Sequence, residues 1–130
     1  MWRSLFALFL VAHGLIHASY LSPRPADAKT WPFELGHSWL LAGGGGNLRV
    51  LGLILVVITA VGFVLAGLGV LGVPFLHGAW LVFGGVAAGA SLLLLGLFWH
   101  PWLVLGMVIS LGILFSILWQ RWPSAAFAGS

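Results

Sequence analysis

The chain has 130 residues, of which 62% are hydrophobic and 5% charged, with a mean hydropathy of +1.15; an average soluble domain is roughly 25% charged. That balance excludes a water-soluble catalytic domain and places residues 1–130 in a lipid bilayer as one domain. The formal charge of +3 and pI near 10.8 come from five basic residues, Arg3, Arg24, Lys29, Arg49 and Arg121. They flank apolar segments singly and build no phosphate-binding patch, so nucleic acid is excluded as a partner. The absence of cysteine removes disulfides, thiolate ligands, iron–sulfur clusters and dithiol chemistry together.

The first apolar segment, about residues 2–20, has the length that crosses a hydrocarbon core. Arg3, the apolar run and Ala26-Asp27-Ala28 imitate a signal peptide, but two histidines inside the run point to a retained span. In Val11-Ala12-His13-Gly14-Leu15-Ile16-His17 the imidazoles stand one helical turn apart. Ionisable side chains within a span are costly and face the bundle interior, a cavity or a bound group, which makes this pair the first candidate site.

Residues 21–47 form the one long connection and hold four of the seven charged residues, Arg24, Asp27, Lys29 and Glu34. Ser22-Pro23-Arg24-Pro25 reads as extended, while Trp31 to Leu41, with aromatic residues near both ends, predicts a short interfacial helix. Gly43 to Gly46 reads as a hinge, because no P-loop lysine follows it. Three further spans are expected at about 48–70, 75–98 and 102–119, separated by Gly72-Val73-Pro74 and His100-Pro101, with proline favoured at a first helical position. Small residues four apart, at Gly62 and Ala66, Gly84 and Ala88, Gly85 and Gly89, Gly106 and Ser110, and Gly112 and Ser116, predict close helix packing or a homo-oligomer face. The expected fold is all-α: an integral membrane four-helix bundle with a short interfacial helix in the first loop.

Four spans put both termini on one side with the Val73-Pro74 turn, and the long loop with the His100-Pro101 turn on the other. At about 1.5 Å per residue, His13 lies near mid-span and His17 roughly 6 Å nearer the loop side. His37 and His100 share that side, whereas His77 lies opposite, where it reads as an interfacial cap. This convergence points to a haem or a divalent metal. His13 and His17 at i and i+4 can grip one ion, and Glu34 with His37 at i and i+3 would add a carboxylate and an imidazole. For haem, His13 or His17 paired with His100 from another helix is the natural axial arrangement. The alternative is a structural pair, with one ring bonded to a backbone carbonyl or to Ser110 of a neighbouring span. The tryptophans fall mostly at span ends, as an aromatic belt requires, and Trp39 and Trp99 share the histidine side.

No serine elbow, P-loop or dinucleotide fingerprint occurs, and the only carboxylates, Asp27 and Glu34, lie outside the spans, so no enzyme class follows. At Ala12-His13-Gly14-Leu15-Ile16-His17 the chain resembles small bacterial four-span proteins with His-Gly-x-x-His in the first helix. It also distantly resembles the DoxX family, whose first span has His-Gly-x-x-Lys after an early arginine; Arg3, His13 and Gly14 match, and His17 stands at the lysine position. The resemblance implies a bacterial cytoplasmic membrane and association with membrane redox complexes and quinone-linked sulfur oxidation. The resulting expectation is a small subunit of a larger membrane complex, or a homo-oligomer, whose histidines bind haem or metal. A structural accessory subunit and a small-solute channel lined by His13 and His17 are the alternatives. Basic residues divide as Arg3 and Arg121 against Arg24, Lys29 and Arg49, too even a split to set the orientation.

Overall fold

The computed structural model describes residues 1–22, 25–27, 35, 38, 40 and 46–120, with 102, 119 and 120 described by backbone alone. Four α-helices account for most of them, and no strand occurs among the described residues. Helix α1, Trp2–His17, continues into a 3-10 turn, Ala18–Leu21; α2 is Gly46–Val70. A 3-10 turn, His77–Ala79, leads into α3, Trp80–Leu97. Another, Pro101–Leu103, leads into α4, Val104–Phe115, which ends in a π turn, Ser116–Gln120. Trp2–Leu21, Gly46–Val70 and His77–Leu97 are long and apolar enough to cross a membrane, and Val104–Leu118 is a shorter apolar helix.

The first two segments thus fall where hydropathy places them, but the third begins late. Residue 75 was its expected start, yet the α-helix starts at Trp80 because the end of α2 is locked into a turn. The Val73 amide donates to the Leu68 carbonyl and the Gly72 amide to the Gly69 carbonyl, the paired bonds of a glycine-terminated helix. Gly72 has φ +94°, and a side chain there would also collide with the Arg3 guanidinium, whose Nη2 lies 2.6 Å from the Cβ position. Arg3 donates through Nε to the Val70 carbonyl, and His77 donates through Nδ1 to the Gly69 carbonyl at 3.1 Å. Two basic side chains therefore close the carbonyl end of α2, where donors and positive charge are favoured. His77, expected as an interfacial cap, bonds the end of α2. Pro74 sits inside the turn rather than at a helix start, and Pro101 opens a 3-10 turn.

Helix α2 packs along both α1 and α3, and α3 packs on α4, whereas α1 and α4 make few close backbone approaches. Glycine sets the close contacts. A Cβ at Gly67 would lie 2.9 Å from the Ala7 carbonyl of α1, and one at Gly62 would lie 2.8 Å from the Ala87 Cβ of α3. Gly85, Gly89 and Gly112 face open space, so only some of the small-residue pairs serve packing within one chain. The Trp80 ring is buried edge-on to Phe6 at 6.1 Å and belongs to the core, while Trp2 and Trp99 are exposed.

Most of the expected interfacial helix lies outside the described residues, as do the hinge residues 43–45; Gly46 is the first residue of α2. Three positions of that expected helix are described. Leu35 is buried against α2, where a Cβ at Gly52 would meet its Cδ2, and the Ser38 hydroxyl donates to the Leu97 carbonyl at the end of α3. Leu40 donates its amide to the Ser38 hydroxyl. Leu35 and Ser38 are therefore held against α2 and the end of α3.

Candidate functional site

The buried positions of α1 are Ala7, Leu10, His13, Gly14 and His17, spaced by three and four so that both imidazoles share the inward face. Gly14 brings that face onto α2: an added Cβ would stand 2.8 Å from the Phe63 Cβ and 3.0 Å from the Ala60 carbonyl. The rings are then fixed by aromatic neighbours. His13 lies parallel to Phe9 at 6.1 Å and edge-on to Phe63 at 4.9 Å, and His17 stands edge-on to His13 at 4.8 Å.

Hydrogen bonds join the pair to the other side of the molecule. His17 Nδ1 lies 2.9 Å from the His13 carbonyl oxygen, and His17 Nε2 lies 2.7 Å from Ser91 Oγ on α3. Ser91 Oγ lies 2.7 Å from Ser110 Oγ on α4, which lies 3.1 Å from His13 Nε2. Both histidines and both serines are buried.

With both rings neutral, the direction of every bond follows from one fact: a carbonyl oxygen only accepts. His17 Nδ1–H must donate to it, so Nε2 is an acceptor and the Ser91 hydroxyl donates to Nε2. Ser91 has no second proton, so the Ser110 hydroxyl donates to Ser91. Ser110 has none left either, so His13 Nε2–H donates to Ser110. His13 is therefore the Nε2–H tautomer, and its Nδ1 carries a lone pair that accepts no hydrogen bond among the described residues.

His13 lines a cavity of about 180 Å³ with Ile16, His17, Tyr20, Leu95, Leu103, Leu105, Gly106 and Ile109. A second cavity of about 320 Å³ lies between Phe6, Phe9, Ile109, Gly112, Ile113 and Ser116. Both occupy the seam between α1 and α4, on either side of Ile109, where the two helices fail to close on each other.

Of the residues expected in the site, His13 and His17 are brought together. His100 lies in the turn before α4, half-buried, and lines neither cavity. His37 and Glu34 lie outside the described residues. No group of three or more histidine, cysteine, aspartate or glutamate side chains occurs among the described residues. An ion held by His13 and His17 would have to displace protein partners, since both nitrogens of His17 and Nε2 of His13 are engaged. The cavity beside them is too small for a tetrapyrrole macrocycle. The described residues, as placed, do not by themselves fit a haem or a metal ion.

The structural alternative gave one ring a backbone carbonyl or Ser110 as its partner; here His17 bonds a backbone carbonyl and His13 bonds Ser110. Ser91 was missed. Its signal is that it is the only polar residue in Trp80–Leu97. No known protein family, curated protein or solved structure matches this chain. Two residues that carry the resemblance in the first helix have structural tasks here: Arg3 caps α2, and Gly14 admits Phe63.

Proposed function

We propose that this chain is an integral membrane protein, its helices crossing the bilayer, and that the seam between α1 and α4 binds a lipid-phase organic molecule with an apolar body and a small polar head. The membrane reading is supported by three helices of spanning length and by large apolar side chains turned outward all along them, among them Leu8, Ile54, Val82 and Leu93. An apolar surface of that extent marks contact with lipid or with another protein. The fourth helix together with its flanking turns covers residues 101–120, about the number that spans a hydrocarbon core.

The observation that carries the ligand reading is that His13, whose Nδ1 has no partner among the described residues, lines a mostly apolar cavity. A few placed polar groups in an apolar recess are the usual composition of a small-molecule site. Ile16 and Leu105, two of the lining residues, are exposed at the rim, so the cavity opens where acyl chains would lie. A head beside His13 leaves the body of the molecule to continue past Ile109 into the second cavity. A closed His–Ser network also supports a second reading, in which the four side chains serve only to join α1, α3 and α4.

Titration of the protein in lipid nanodiscs with 4-nonylphenol, followed by the ¹⁵N signals of labelled histidine, separates the two. The expected result is a saturable shift at His13 with one probe per chain, lost in Ile109→Trp, which fills the seam. A shift that grows without saturating, or that survives Ile109→Trp, would overturn the ligand reading and leave the structural one.

A further inference from the structure

We infer that the seam selects head groups that donate a hydrogen bond, such as phenols and alcohols, over heads that only accept, such as ethers and ketones. The inference rests on the cavity reading above. It follows from the direction of the hydrogen-bond chain, which is set at its far end, by a backbone carbonyl that never touches the ligand.

For His13 to offer Nδ1–H to a ligand, its Nε2 must become an acceptor and take the Ser110 proton. That proton is committed to Ser91, and the Ser91 proton to His17 Nε2. With His17 Nδ1–H held by the His13 carbonyl, turning the Ser110 proton to His13 leaves one buried contact without a proton: the Ser91–Ser110 pair if Ser91 stays on His17, or His17 Nε2 if Ser91 turns to Ser110. An unmade bond at a buried acceptor weakens binding by about tenfold or more. An acceptor-only head meets a lone pair opposite its own lone pairs.

Nothing else along the chain relieves this. Residues 80–97 of α3 and 104–115 of α4 contain no acidic, basic or histidine side chain. On α1 and α2 the charged residues are Arg3, which is bonded at the opposite end to Val70, and Arg49 at the start of α2. Tyr20 also lines the cavity, seven residues and about 10 Å of helix rise from His13, so the tautomer of His13 does not depend on it.

Ser91 lines neither cavity, so it acts as a positioning residue. In Ser91→Ala the Ser110 proton is released, it can turn to His13 Nε2, and His13 is free to present Nδ1–H. The closing experiment compares 4-nonylphenol with 4-nonylanisole, which has the same body and no donor. Wild-type protein is expected to bind the phenol at least about tenfold more tightly, and Ser91→Ala to lose most of that preference. Ligand-free wild-type protein should show His13 protonated at Nε2 alone and His17 at Nδ1 alone in ¹⁵N spectra, a readout that needs no variant to fold. Equal affinity for the two probes, or a His13 ring carrying its proton on Nδ1, would overturn the inference while leaving the cavity occupied. Failure of both probes to bind would overturn the cavity reading, and this inference with it.

Discussion

At the scale of single residues, Thr59 and His17 meet the same dry interior with opposite outcomes. Both are buried, yet His17 has a partner for each ring nitrogen, whereas Thr59 Oγ1 has none among the described residues. A buried hydroxyl without a partner loses its water and gains nothing in return, while valine has nearly the same shape and no such loss. Thr59→Val is therefore expected to raise stability by about 1 kcal/mol, read as a higher midpoint in detergent-induced unfolding. A lower midpoint would mean that the hydroxyl is bonded in the native protein. The same contrast explains what could be read from the sequence. Two imidazoles in an apolar run need external partners, so His13 and His17 declare a site from their positions alone. A serine in a helix can satisfy itself on its own preceding turn, so Ser91, though it stands out as the polar residue of α3, names no partner until α3 and α1 are seen side by side. His100 shares a side with the pair by topology, but helix rotation and packing decide contact, and the count of spans does not contain that information.

At the scale of elements, the lengths of α1 and α2 were legible because hydropathy and length suffice to bound an uninterrupted apolar helix. The start of α3 was not, because it depends on the turn in which Arg3 and His77 meet the last carbonyls of α2, and Arg3 is 67 residues away in sequence. Glycine stripes were legible as a class and ambiguous one by one. Gly62 and Gly85 show why: a Cβ at Gly62 would strike Ala87 at 2.8 Å and the Phe83 carbonyl at 3.3 Å, whereas a Cβ at Gly85 meets nothing within 4 Å. Gly62→Ala should push α2 and α3 apart and destabilise the protein by about 1–3 kcal/mol. Gly85→Ala should be neutral or raise stability by up to about 1 kcal/mol, the helix-propensity difference between the two residues. Unfolding midpoints of the two variants measure the contrast, and equal losses would show that Gly85 also faces a helix, as it would in a homo-oligomer.

At the scale of the whole molecule, the four helices are held together unequally. Helices α1 and α2 are fastened by backbone contact at Gly14 and Gly67, which only a large shift of either helix would undo. Helix α4 is packed on α3, and across the open seam the hydrogen bond from His13 to Ser110 joins it to α1 beside the shared apolar core of Ala7, Leu10 and Ile113. A single interhelical bond of this kind contributes only about 0.6 kcal/mol on average in a membrane, so it can set the spacing of the seam without dominating the stability of the fold. Ser110→Ala should then lower the unfolding midpoint slightly and loosen one helix pair selectively. Because the chain has no cysteine, spin labels can be placed on exposed positions without removing native thiols. A pair at Leu8 and Leu111 reports on α1 against α4, and a pair at Leu8 and Val61 reports on α1 against α2; all three side chains are exposed. The Leu8–Leu111 distance distribution should broaden in Ser110→Ala while the Leu8–Val61 distribution stays unchanged. If both pairs broaden together, the His–Ser network supports the fold as a whole rather than the width of the seam. If neither does, α4 is held in place by α3 alone, and the bond to His13 serves only to orient the ring.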